Sequence, residues 1–242
     1  MAIELILPAG VASAPLFMEP LRLSLHRALS SEGTGVHSTL LYPYGDWERS
    51  LLLQLRELAR DIRLRGERLG RSIGGNRLLA AIDDKRSVFG YDVAHTRTVL
   101  VGHSAGGVAA LHAASLLCAR DGGKTPLVVM IGSPRCRIPE EQRDSVLYVY
   151  AANGPVAETR GTSVRLSDPI TRFGSFGGWQ AGRWRMPRWN VDKHAPIHSS
   201  GLSIIGGHAD YFRDQAPFVN ELGLSNLMLS SDVVLRWLRE RL

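Results

Sequence analysis

Residues 98–107, TVLVGHSAGG, constrain the chain more than any other stretch. An apolar run ends abruptly in Gly102-His103-Ser104-Ala105-Gly106, and the alanine-rich segment VAALHAASLLCAR follows. A serine with glycine at i−2 and i+2, set between a strand and a helix, suits a sharp turn that points the hydroxyl outward at the top of a sheet. Side chains at the flanking positions would collide with neighbouring backbone. The bare string also suits a tight turn with an inert serine, so its surroundings have to decide.

Those surroundings alternate. Apolar runs at 3–7, 38–42, 98–101, 127–131, 146–150 and 202–205 read as strands, each stopped by glycine, proline or another turn residue. Helical spacing follows at 16–30, with Pro20 in its first turn. It recurs behind Asp46 as an N-cap, where Leu51, Leu52, Leu55, Leu58 and Ile62 share one face. A helix around 78–82 is expected to interrupt an irregular stretch, 65–97, and DVVLRWLRERL closes the chain as an amphipathic helix. Strands without strict alternation suit a mostly parallel sheet covered on both faces. The expectation is an α/β fold, a three-layer α/β/α sandwich. Residues 1–242 form one domain, with a lid or cap excursion at about 171–200.

Composition narrows the function classes. The 242 residues carry a net charge of +6, but the arginines are spread over amphipathic segments (Arg56, Arg60, Arg63, Arg65) and no basic-aromatic module is present, so nucleic-acid binding is not expected. Two cysteines, Cys118 and Cys136, are too few for a disulfide framework and suit a reducing compartment. MAIELILPAG has Glu4 and no basic leader region, and no window has the apolar length of a membrane span, so a cytoplasmic protein without integral membrane association is expected. Gly122-Gly123-Lys124-Thr125 fails as a phosphate loop because Cys118 stands where its first glycine is required. The glycines at 66–75 lack the strand and acidic partner of a dinucleotide site.

Serine is a weak nucleophile and needs a general base, held in turn by an acid. His26, His37 and His95 precede the turn, and His112 lies on the following helix. His194 and His198 have metal-pair spacing, but Pro196 lies between them and no metal site is expected. His208 is preferred, because it follows a strand and Gly206-Gly207 and so reaches the edge where ligands gather in open α/β sheets.

On GHSAGG at 102–107, MIGSPR at 130–135, SDPI at 167–170 and GGHADYF at 206–212, the chain resembles the α/β-hydrolase superfamily, most of all small bacterial serine hydrolases of the lipase/esterase kind. The resemblance implies a triad in the order Ser104, Asp168, His208. Glu158 is the alternative acid and Asp192 a weaker one, since Gly154 stands where the acid after an earlier strand is expected. Asp168 also suits a turn or N-cap role. The resemblance implies an oxyanion hole from the backbone N–H of Ala105 and of Gly10 or Val11. His103, Trp179 and Trp184 are the candidates to touch substrate. The segment 173–190 is either a lid or acyl-binding wall, or an ordered loop packing its tryptophans inward. The implied reaction is hydrolysis of a small-molecule ester or related acyl bond, without cofactor, in a chain open to homo-oligomerisation. An inactive hydrolase-like binding protein and an acyltransferase with the same triad are the alternatives.

Overall fold

Strands β1 (Ala2–Pro8), β2 (Gly35–Leu41), β3 (Thr96–His103), β4 (Leu127–Ile131), β5 (Val146–Ala151) and β8 (His198–Leu202) make one six-stranded sheet in the order β2-β1-β3-β4-β5-β8, and every pairing in it is parallel. A separate antiparallel hairpin pairs β6 (Gly178–Ala181) with β7 (Pro187–Asn190). The structure is a computed structural model and describes residues 2–31, 33–90, 95–122, 124–152, 167–182 and 186–242.

The central strands are apolar end to end because helices cover both faces. On one face Leu5, Leu7, Val99, Val101, Val129 and Ile131 pack under α1 (Glu19–Ser30) and α5 (Asn226–Arg239). On the other, Ile6, Leu100, Val128 and Met130 pack under α3 (Ile73–Phe89) and α4 (Ala105–Asp121). α4 is alanine-rich because it lies between the sheet and α3; Ala109, Ala110, Ala113 and Ala114 are all fully buried. The fold is therefore the three-layer α/β/α sandwich expected.

One polar residue inside a core strand shows how the layers are tied. Glu4 on β1 is buried, accepting from Arg86 Nη2 of α3 at 2.7 Å and from Thr98 Oγ1 at 3.0 Å. A buried carboxylate is tolerated only when paired and hydrogen-bonded, and removing Arg86 would leave it stranded.

Four local expectations are corrected. The helix expected around 78–82 runs from Ile73 to Phe89. Gly74 and Gly75 look like a turn in sequence, but they form its first turn because a Cβ there would lie 2.5 Å from the Tyr44 ring and 2.8 Å from His112 Cβ. The first helix starts at Glu19, since Leu16 has a positive φ of 62°. Asp46 is not the N-cap of α2 (Leu51–Asp61); Ser50 holds that position, and Asp46 accepts from the Glu48 amide. The last strand is His198–Leu202, ahead of the apolar run 202–205, because it is a polar edge strand that pairs with β5 on one side only.

The largest departure concerns α2. Of its expected leucine face only Leu58 and Ile62 turn toward the core, while Leu51, Leu52 and Leu55 are exposed; Gln54 and Asp61 are buried instead. Asp61 collects the Tyr44 hydroxyl, the Ser72 hydroxyl and the Ile73 and Gly74 amides at 2.8–3.0 Å, so it caps α3 from a neighbouring helix. His112 Nδ1 lies 2.9 Å from Ser72 Oγ in the same buried network. Since the Ser72 hydroxyl donates to Asp61, His112 donates to Ser72. Both cysteines are free thiols; burial pushes that of Cys136 up to about 12.

Candidate active site

Ser104 joins β3 to α4 with φ 56° and ψ −128°, a backbone conformation that costs a non-glycine residue on the order of 1–3 kcal/mol and persists only when the surroundings impose it. They do so through the Ser104 amide, which donates to Ile131 O of β4 at 2.9 Å. The flanking glycines act as the sequence suggests. A Cβ on Gly106 would lie 2.0 Å from Pro8 O of β1. One on Gly102 would lie 2.4 Å from Gly106 O and Gly107 N in the first turn of α4.

Asp168 and His208 come together at the same edge of the sheet. His208 Nδ1 donates to Asp168 Oδ2 at 2.8 Å. The same oxygen accepts from the Tyr211 hydroxyl at 3.1 Å, and Oδ1 accepts from the Ile170 amide at 2.8 Å. Asp168 is fully buried. Burial pushes its carboxyl up, but the bonds from His208, Ile170 and Tyr211 outweigh that and hold it below the usual aspartate value. It also caps the short 3-10 turn Pro169–Arg172, so the turn role and the histidine contact coexist.

Tyr211 and Asn226 carry positioning that sequence reasoning missed. The Tyr211 hydroxyl accepts from Ala151 N at 2.8 Å while donating to Asp168, which locks the acid to the end of β5. Burial, then the Asp168 charge, pushes the phenol well up. Asn226 bonds Ile205 N, Ile205 O and Asp210 O at 2.7–2.9 Å, clamping the loop that carries His208. GGHADYF signalled the first of these; nothing in sequence signalled a buried asparagine at the start of α5.

His103 lies under His208. The two rings stack with centroids 4.8 Å apart, and His103 Nε2 donates to His208 O at 3.1 Å. Phe17, Tyr211 and Phe212 surround it at 5.2–5.7 Å, and it is 3% exposed. His103 is expected to touch substrate; here it is buried among these rings, stacked on His208. Among the described residues its buried Nδ1 has no hydrogen-bond partner. Ser104 is thus one residue from a ring packed on His208. Among the described residues no hydrogen bond joins the Ser104 hydroxyl to His208.

Burial, then the nearby His208, holds His103 down at about 3, and burial holds His112 down as well. The unfolded chain protonates both near 6.5 while the native chain does not, so unfolding takes up protons and stability falls as the pH drops below 6.5. The expected loss is about 1.4 kcal/mol per pH unit for each histidine until the native value is reached. Urea melts from pH 7 to pH 4.5 check this; a flat profile would contradict buried neutral histidines.

Of the residues expected to donate to an oxyanion, Gly10 lies against the Ser104 turn and Ala105 follows it. Ala105 N opens α4, where backbone N–H groups have no helical acceptor. The Ala9 amide donates to Leu41 O at 2.8 Å and the Ala12 amide to Gln54 Oε1 at 2.9 Å; among the described residues the Gly10 and Val11 amides between them have no hydrogen bond. A Cβ on Gly10 would lie 2.7 Å from Ser104 Cβ and 3.1 Å from its Oγ. Gly10→Val keeps the backbone N–H but crowds Ser104, and is expected to cut turnover on the order of 10²- to 10³-fold, as much as misplacing one oxyanion donor. Circular dichroism should stay native. Wild-type turnover in this variant would place the anion elsewhere.

Trp179, expected to touch substrate, is exposed and stacks edge-on against Trp189 at 5.4 Å on the hairpin, and its carbonyl accepts from Lys193. Trp184 and Glu158 lie outside the described residues. His198 bonds Asp144 at 2.8 Å, and among the described residues no group of three or more His, Cys, Asp or Glu side chains is gathered as a metal site.

The sheet, its two helix layers and the strained serine turn beside a His–Asp pair are α/β-hydrolase-like. No family model matches the sequence, and no curated protein matches it. Among solved structures the chain is similar to the esterase PE8, at 16% identity over 100% of this chain and 93% of that one, with a TM-score of 0.47. It is also similar to the RedJ thioesterase of prodiginine biosynthesis in Streptomyces coelicolor, at 16% identity over 99% and 86% with a TM-score of 0.46. An acetyl xylan esterase matches at 12% identity over 99% and 98% with a TM-score of 0.39.

Proposed function

We propose that the chain is a serine hydrolase that cleaves a carboxylic ester or related acyl bond. The observation that carries this reading is the 2.8 Å His208–Asp168 pair, stacked on the residue next to a strained serine. His208 Nε2 takes the Ser104 proton as Oγ attacks the acyl carbon, and Asp168 holds the imidazole with its proton on Nδ1. The tetrahedral oxyanion accepts from Ala105 N and from Gly10 or Val11 N. His208 then protonates the leaving group, and water, with its proton drawn to His208, releases the acid from the Ser104 ester. The Ser104 hydroxyl and His208 close their hydrogen bond on the substrate, as catalytic contacts in unliganded sites often do.

Within the excursion expected at about 171–200, the strands Gly178–Ala181 and Pro187–Asn190 pair as a hairpin, with Trp179 and Met186 exposed. A p-nitrophenyl ester panel of graded chain length, run on wild type and on His208→Ala, tests the reading. Hydrolysis that survives His208→Ala would overturn it. The second reading, an inactive binding scaffold, draws on the missing Ser104–His208 bond and expects no turnover in any arm.

A further inference from the structure

We propose that α2 docks the protein onto an anionic lipid surface through the leucines of its first turns, beside the turn that carries Ser104. The first turns of the helix are inside out. Gln54 and Asp61 are fully buried, while Leu51, Leu52, Leu53 and Leu55 are 51%, 76%, 49% and 44% exposed, and Trp47, just ahead of them, is 61% exposed. Isolated exposed leucines need no explanation, but Leu51, Leu52 and Leu55 lie on one side of the helix, a cluster of the kind that marks an interaction surface.

The helix cannot roll to hide them, because its polar side is fastened at three levels. Gln54 Nε2 donates to Asp46 O and Arg49 O at 2.6 and 2.9 Å, and Gln54 Oε1 accepts from Ala12 N. Glu57 holds Arg49 and Arg77 at 2.6–2.7 Å. Asp61 anchors the start of α3. The outward leucines are therefore built into the fold.

Charge selects the occupant. Arg56, Arg60, Arg63, Arg65, Arg68 and Arg71 are all exposed, and none makes an ion pair among the described residues. At helical spacing Leu51, Leu55, Ala59 and Leu52 share one stripe, and Arg56 and Arg60 lie along its border. A leucine stripe bordered by arginines is the pattern of a helix lying in the plane of a lipid interface, apolar side in the acyl boundary and guanidinium groups among the phosphates. A second copy meeting this face by two-fold symmetry would set the arginines against each other. No helix of the described residues is long and apolar enough to cross a membrane, so the contact is peripheral.

The place matters as well. The Gln54–Ala12 bond ties the leucine end of α2 to the loop of Gly10 and Val11, which packs on Ser104. Esters presented at a lipid surface are the substrate class this geometry serves, a step that rests on the hydrolase reading.

Flotation of the full chain with vesicles tests the docking without using activity, so it stands or falls apart from that reading. Wild type is expected to float with phosphatidylcholine–phosphatidylglycerol vesicles at low salt, and much less with pure phosphatidylcholine or at high salt. Leu52→Gln/Leu55→Gln should lower partitioning about tenfold or more, and Arg56→Glu/Arg60→Glu at least about 25-fold, at about fivefold for each arginine lost. Both pairs are exposed, and unchanged thermal melts would show that the fold survives. No flotation of wild type, or equal flotation of wild type and the leucine variant, would overturn the proposal. So would a concentration-dependent dimer that the leucine variant abolishes while vesicles are ignored.

Discussion

Ser104→Ala is expected to lower kcat for ester hydrolysis on the order of 10⁴- to 10⁶-fold, with KM little changed and the thermal midpoint within a degree or two of wild type. The asymmetry follows from the geometry. Among the described residues the hydroxyl makes no hydrogen bond to His208, so its removal leaves no buried partner there unsatisfied. Alanine keeps the Cβ and inherits the same φ of 56°, so the strain of the turn is unchanged. A glycine at 104 would relieve that strain, and Ser104→Gly should be as inactive as Ser104→Ala but more stable by about 1 kcal/mol. A loss of activity accompanied by an equal loss of fold would mean that the serine is structural.

Asp168→Asn is expected to cost about 10⁴-fold in kcat, by a different route. The carboxylate faces donors on both oxygens: His208 and Tyr211 at Oδ2, and the Ile170 amide at Oδ1. An asparagine must point its NH₂ group at one of these sides. Turned toward His208, it requires a bare Nδ1, which moves the imidazole proton to Nε2 and removes the base facing Ser104. Turned toward Ile170, it sets donor against donor in a buried site and costs about 1–3 kcal/mol of stability. The control is Glu158→Gln, which should behave as wild type. The reverse result, an active Asp168→Asn beside an inactive Glu158→Gln, would move the acid to Glu158.

The parts of this arrangement that sequence could disclose are those in which backbone sterics dictate residue type. Gly102 and Gly106 are legible because no side chain fits between the turn, Pro8 O and the start of α4. The apolar strands are legible because both faces of the sheet are covered. The polar edge strand at His198–Leu202 is not, since pairing with β5 rather than apolar composition defines it. α2 misleads for a related reason. Periodicity locates an apolar face but not which way it turns, and here the partners of Gln54 and Asp61 decide. His103 reads as a contact residue because it sits inside the turn, yet the alternation along β3 directs its ring beneath His208. Tyr211 and Asn226 act through contacts that cross from one loop or strand to another, which no local pattern records.

The central claim is that the Ser104 hydroxyl is a nucleophile activated by the imidazole beside it. The most direct measurement is intact-mass and peptide-level mass spectrometry after incubation with a fluorophosphonate. The account predicts one phosphonyl adduct, carried by the peptide containing Ser104, absent in Ser104→Ala and formed far more slowly in His208→Ala. A natively folded protein that stays unlabelled, or an adduct that maps to another residue, would contradict it.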